Sequence, residues 1–161
     1  MFGFGKKKEV EADQNIYAPV DGEAVEITTV SDPVFAQKMM GEGFAVTPSG
    51  GDIVAPVAGT ITVNQGHAVG IRRSDGLEVL IHIGIDTVSL KGAPFTQHVK
   101  IDDNVAGGDP LVTVDWQQIK DANLDPVVMV LITNSKDQLD QFTINYGDTK
   151  AGAELGLATA K

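Results

Sequence analysis

Three histidines carry the near-neutral chemistry of this 161-residue chain, which has no cysteine. Two of them, His67 in Gly66-His67-Ala68-Val69-Gly70 and His82 in Leu80-Ile81-His82-Ile83-Gly84, stand 15 residues apart. Between them runs Arg72-Arg73-Ser74-Asp75-Gly76, and Asp-Gly between alternating apolar runs is a strong hairpin signal. With Asp75-Gly76 as the turn, His67 lies opposite Gly84 and His82 is two residues off on the same face. With Ser74-Asp75 as the turn, His67 faces His82 directly. Either register predicts both imidazoles on one side of the sheet, with Cβ atoms roughly 5–8 Å apart. A neutral imidazole is a nucleophile near pH 7, and a hydrogen bond at one ring nitrogen leaves the other free. A second imidazole could steady a developing phosphoryl charge, or the two could share a zinc ion. The bland alternative is a pair of half-buried histidines satisfied by backbone groups. Gly66, Gly70 and Gly84, which let another backbone approach closely, favour a site.

Other chemistry is sparse. His98, in Thr96-Gln97-His98-Val99, reads as lone polar surface, and Asp102-Asp103 point opposite ways if extended. There is no phosphate loop, dinucleotide fingerprint or Gly-x-Ser-x-Gly elbow. The lack of cysteine excludes disulfides, thiolate metal sites and cysteine nucleophiles. A net charge of −10, with Arg72 and Arg73 the only arginines, argues against a nucleic-acid binder. The longest aliphatic run, Val127–Ile132, is far short of a membrane span, and Met1–Val10 lacks a signal peptide's apolar stretch. A cytoplasmic location is the expectation. Lys6-Lys7-Lys8 beside Phe2 and Phe4 would give at most a weak, reversible contact with an anionic membrane.

The elements that must hold the two imidazoles are strands. Short Val/Ile/Thr-rich segments, among them Ala24–Val30, Thr60–Asn64, Leu77–Ile85, Leu111–Val114 and Val127–Thr133, alternate with glycine turns and predict an all-β sandwich or barrel. Ile16-Tyr17-Ala18-Pro19-Val20-Asp21-Gly22 recurs as Ile53-Val54-Ala55-Pro56-Val57-Ala58-Gly59, a period of 37 residues. Proline fixes φ and glycine permits a tight turn, so each copy predicts a strand, a turn and a second strand. Further glycine turns fall at Ala106-Gly107-Gly108-Asp109 and Tyr146-Gly147-Asp148. Two short helices are expected. One covers Val34–Met40, capped by Asp32-Pro33 and stopped at Gly41; the other covers Asp115–Ala122. Residues 1–15 are expected to be a flexible tail and 16–161 a single domain.

The block Leu80-Ile81-His82-Ile83-Gly84-Ile85-Asp86-Thr87-Val88-Ser89-Leu90-Lys91-Gly92 resembles the glucose-type enzyme IIA family of the bacterial sugar phosphotransferase system. The likeness extends over Ala18–Gly22, Asp32–Gly41, Val54–Gly59, His67-Ala68, Val105–Leu111 and Gly147–Gly152. The resemblance implies an antiparallel β-sandwich with duplicated hairpin motifs, of barrel-sandwich hybrid type, with few short helices. It also implies a phosphocarrier that takes a phosphoryl group from the phosphohistidine of HPr and passes it to a cysteine of a sugar-specific IIB domain. His82 would then be the acceptor and His67 the supporting imidazole, with Gly84 and Asp86 in support. Val34, Phe35, Met39, Met40, Val69, Leu80 and Val88 are expected to form an apolar docking rim that also keeps water from the phosphoramidate. The family often has Thr two residues before the first histidine, where it orients that ring by a hydrogen bond; Gln65 stands there in this chain and, able to donate or accept, is expected to support His67 by a different bond. No cofactor is required, although His67 and His82 could contribute to a zinc ion at a partner interface. Regulated kinases or permeases are further partners the likeness suggests, as is a transient visit to the inner face of the membrane.

Three rivals remain open from the residues alone. A zinc hydrolase would use His67, His82 and either Asp86 or His98, but no His-x-x-x-His motif or glutamate base accompanies them. A swinging-arm carrier would use Lys38 in Gln37-Lys38-Met39-Met40, placed in a helical stretch rather than at a hairpin tip. A regulatory binding module that signals by its phosphorylation state is compatible with the carrier role.

Overall fold

The Ala-Pro-Val-x-Gly repeat is a physical duplication in the computed structural model, which describes residues 12–161. The first copy joins strand β1 (Asn15–Tyr17) to β2 (Asp21–Glu26). After β3 (Glu42–Gly50), the second joins β4 (Ile53–Val54) to β5 (Gly59–Gln65). The copies clasp each other through an exchanged pair of bonds. The Tyr17 N–H donates to the Pro56 carbonyl and the Val54 N–H to the Pro19 carbonyl, both at 2.8 Å.

The chain continues through β6 (Ala68–Arg72), β7 (Glu78–Ile83), β8 (Phe95–Gln97), β9 (Asn104–Val105) and β10 (Pro110–Val114). It closes with β11 (Val128–Ile132), β12 (Leu139–Ile144), β13 (Gly147–Thr149) and β14 (Glu154–Ala160). Among the described residues every pairing is antiparallel, in sheets ordered β13-β2-β3-β11-β7-β6-β5-β9, β1-β14-β12 and β4-β10-β8, with no closed barrel. The duplication organises the edges. β1 and β2 pair with β14 and β13 just as β4 and β5 pair with β10 and β9. The structural counterpart of the Gly108 turn is Gly152: their N–H groups donate back to Ala55 and Ala18 at 2.8 and 2.9 Å.

Alternation along the central strands sorts side chains between two apolar layers. Val79, Ile81 and Ile83 of β7 join Phe44, Val46, Val128 and Val130 in the main core. Leu80 and His82 take the other face, over a smaller cluster of Ile27, Phe35, Ala45, Ile85, Val127, Met129 and Leu131. β11 is buried on both faces, which is why its sequence is an unbroken apolar run. Each fully buried Ile or Val contributes about 1.5–3 kcal/mol.

Helix α1 spans only Pro33–Ala36, shorter than the expected Val34–Met40. Its start is as read: the Asp32 carboxylate accepts from the Val34 N–H at 2.9 Å, with proline at the first position. Its end comes early because Lys38 takes a left-handed φ of 60°, ahead of the Gly41 stop. Helix α2 (Trp116–Asp121) lies within the expected Asp115–Ala122, with those two residues as its caps, and α3 (Ser135–Gln138) has no counterpart among the expected helices. Strand structure begins before residue 16, inside the stretch expected to be a tail. Asn15 lies in β1, and the Asp13 carboxylate accepts from the Asn15 N–H and, at 2.6 Å, from the Tyr17 hydroxyl. Lys6-Lys7-Lys8, Phe2 and Phe4 lie outside the described residues. Among the described residues no helix is long and apolar enough to cross a membrane.

Candidate functional site: two imidazoles at a hairpin base

The β6–β7 hairpin adopts neither of the two registers expected from its turn. Ala68 pairs with His82 and Arg72 with Glu78, leaving a three-residue loop of Ser74-Asp75-Gly76 closed by Arg73 N–H to Leu77 carbonyl at 2.9 Å. A tertiary anchor favours this length. The buried Arg73 guanidinium holds the Asp75 carboxylate and also donates to the Ala158 carbonyl of β14 at 2.7 Å. Gly76, at φ +93°, supplies the left-handed position that a three-residue hairpin needs.

In this register strict alternation would send the His67 side chain to the core face, away from His82. The rings meet nonetheless, because His67 has left the strand. It occupies the two-residue turn Gly66-His67 between paired Gln65 and Ala68, while its carbonyl still accepts from the Ile83 N–H at 2.8 Å. The two ring centroids are 5.1 Å apart, edge to face at 75°. The expected proximity is present, but it comes from the turn at Gly66-His67 and not from strand alternation.

His82 projects from β7 between Ala68 of β6 and Met129 of β11. Its Nδ1 donates to the Gly84 carbonyl at 2.7 Å, which leaves the Nε2 lone pair unprotonated in the neutral ring. That carbonyl turns inward because Gly84 is left-handed at φ +77°. Beneath it the buried Thr87 hydroxyl donates to the Ile83 carbonyl, and the Gly84 N–H donates to Val127 at 2.8 Å. Burial pushes the His82 pKa down; the Gly84 carbonyl opposes this, the neighbouring His67 adds to it, and the Asp32 and Asp86 carboxylates oppose it weakly. His67 is also pushed down, by burial. Both rings are therefore neutral at pH 7.

Around the pair, the apolar residues divide. Phe35 is 8% exposed and stacks on His82 with centroids 5.1 Å apart and a 51° tilt, so it is a wall of the site rather than an open docking residue. Val34, Met39, Met40 and Val88 are exposed, Met39 at 69%. Leu80 is half-buried on the His82 face. Val69 does not belong to the rim: it lies on the opposite face of β6, fully buried in the main core. Asp86 is exposed and left-handed at φ 63°, at the start of the 3₁₀ turn Thr87–Leu90. Gln65 is exposed, and its side chain bonds to no described residue, His67 included. Gly84 and Gly66 flank the pair as read, while Gly70 packs on Val63.

Two features escaped the sequence reading. Asp32 caps its helix as expected, and its charge also reaches His82. The Gln97 side chain bonds to the carbonyls of Gln65 and Gly66, at the turn that carries His67; nothing in the local sequence signals a contact across that separation. The rival sites do not assemble. His98 Nε2 pairs with the Thr113 hydroxyl at 2.6 Å, and the Lys38 ammonium pairs with Glu42 at 3.2 Å. No cluster of three or more metal-ligating side chains occurs among the described residues.

Residues 14–138 match the family model described as phosphoenolpyruvate-dependent sugar phosphotransferase system, EIIA 1. The chain is 48% identical to the PTS system glucose-specific EIIA component of Halalkalibacterium halodurans, covering all of this chain and 96% of that protein. It is 43% identical to the like-named protein of Staphylococcus aureus strain COL, covering 91% and 93%. The fold superposes on glucose permease IIA from Mycoplasma capricolum with a TM-score of 0.78 at 36% identity, covering 88% of this chain and 93% of that one. A neutral, tautomer-fixed imidazole braced by a second is what a histidine phosphocarrier requires, and the chain belongs to the EIIA 1 family of the phosphoenolpyruvate-dependent sugar phosphotransferase system, as one of its phosphotransferase components.

Proposed function

We propose that His82 Nε2 receives the phosphoryl group from the phosphohistidine of HPr, and that the group then passes to a cysteine of a IIB domain. The observation that carries this reading is the Nδ1–H to Gly84 carbonyl bond. In the first step the P–N bond to the carrier's histidine breaks as a P–N bond to Nε2 forms, nearly in line. Nδ1 keeps its proton throughout. The phosphorylated ring is formally cationic, so its N–H becomes a stronger donor and the Gly84 carbonyl holds it more tightly. In the second step the P–N bond breaks, a P–S bond forms to the incoming thiolate, and the electron pair returns to Nε2. His82 thus leaves as the same neutral tautomer.

His67 is assigned the second role. From its edge-to-face position it donates to the phosphoryl oxygens as charge redistributes; removing such a donor costs about 3 kcal/mol of barrier. Phe35 and half-buried Leu80 limit water around the labile bond, and exposed Val34, Met39, Met40 and Val88 offer an adaptable apolar surface to protein partners. The names of the relatives extend the reading to glucose as the sugar served. The work is placed in the cytoplasm, with visits to the inner membrane face where a permease presents its IIB domain. A zinc ion shared at such an interface would take His67 and His82 as two ligands and the others from the partner.

The test is labelling. Mixed with phosphorylated HPr, the chain should gain one acid-labile, base-stable phosphoryl group, and a panel of IIB domains should identify the glucose-type domain as the preferred acceptor. Labelling anywhere but His82 would overturn the assignment.

A further inference from the structure

The His67 ring bonds to no described residue, so its place over His82 depends on how the turn beneath it is held. Gln65, two residues before it, does not reach back to it. The turn is gripped instead from a different sheet. The Gln97 Nε2 group lies 3.2 Å from both the Gln65 and the Gly66 carbonyl, one for each of its two N–H donors. The orientation of that amide is not ambiguous, because the flipped form would set Oε1 against two carbonyl oxygens. In the orientation adopted, Oε1 is buried and unpartnered, so the contact is kept against a local cost. Gly66 also rests on the same segment: a Cβ placed there would meet Gly92 Cα at 3.0 Å and Phe95 Cδ2 at 3.2 Å.

No backbone ladder joins these parts. β8 belongs to the β4-β10-β8 sheet and β5 to the eight-stranded one. At this corner the connection runs through side-chain amides, Gln97 to the turn and Asn64 Nδ2 to the Val99 carbonyl at 2.8 Å. We infer that Gln97 is a positioning residue for His67: its amide clamps the Gly66-His67 turn and so keeps the second imidazole over the reacting nitrogen of His82. This rests on the role proposed for His67.

The test compares Gln97→Met, which keeps the side chain's length and loses both donors, with Gln97→Lys, which restores a donor within reach of the two carbonyls. Gln97→Met should slow onward transfer to the IIB domain about fivefold to tenfold, and Gln97→Lys should recover most of the loss. Proton NMR of the imidazoles supplies a readout that a loss of mere packing would not move. In Gln97→Met the His67 titration should rise toward 6.5 as its ring becomes hydrated, with melting of the domain little changed. Unchanged transfer and titration in Gln97→Met, or slowing that Gln97→Lys does not relieve, would overturn the inference. If His67→Gln alone leaves onward transfer intact, the role of His67 falls; the shift of its titration in Gln97→Met then decides by itself whether Gln97 positions the ring.

Discussion

Gly84→Ala is the most informative single perturbation of the acceptor. At φ +77° an alanine carries a backbone cost of about 1–2 kcal/mol. Its Cβ would also sit 2.5 Å from Thr87 Cγ2 and 3.0 Å from the Asp125 carbonyl oxygen. Thr87 cannot easily yield, since it is buried and its hydroxyl is committed to Ile83. The peptide must therefore rotate, and the Gly84 carbonyl leaves His82 Nδ1 at a further cost of about 1 kcal/mol. Together these predict about 2–3 kcal/mol of lost stability, or a melting temperature lower by roughly 5–10 °C for a domain of this size. With Nδ1–H no longer held, the tautomer with Nε2 free should fall in population and labelling by phosphorylated HPr should slow about fivefold. Nitrogen-15 NMR of the ring reads the tautomer, and a quenched-flow labelling course reads the rate. An alanine variant that keeps the Nδ1 proton and labels within about a factor of two of the parent would refute the link between this carbonyl and nucleophilicity.

His82→Gln should abolish labelling altogether, as scored by intact mass before and after exposure to phosphorylated HPr. His67→Gln should still accept phosphate but fail to pass it on, because an amide can donate to the resting phosphoryl group yet cannot carry charge as the group departs; normal onward transfer would remove the role assigned to His67. Burial holds both rings below the ordinary value of 6.5, so the neutral acceptor persists below that pH and the midpoint of the labelling-rate profile should lie under 6.5. The same shifts give stability its sign. The unfolded rings take up protons first, so stability from these groups is level above about 6.5 and is lost as pH falls below it, a slope that His82→Gln should flatten in pH-resolved melts. Phe35→Ala should cost about 3 kcal/mol on denaturant titration, move the His82 pKa up toward 6.5 and hasten hydrolysis of the phosphohistidine.

The chain's own letters determined much of this protein. Alternation along Leu77–Ile85 assigns Val79, Ile81 and Ile83 to one face and Leu80 and His82 to the other, because side-chain direction in a strand has period two. The paired Ala-Pro-Val-x-Gly turns declare a duplicated β-unit, since Pro and Gly dictate local dihedrals whatever surrounds them. Asp32-Pro33 announces a helix start for the same reason. Tertiary structure decided the rest. The hairpin register turned on a single residue of loop length, chosen by a buried Arg73 that grips Asp75 and β14, and one such step reverses every facing relation. It put Val69 in the core and His67 on the wrong parity, then recovered the imidazole pair by seating His67 in a turn. The closure of Phe35 over His82 and the grip of Gln97 on that turn likewise depend on partners distant in the chain. Local preferences act over a few residues; which far segments come to lie beside them is settled only when the sheets close on a common core.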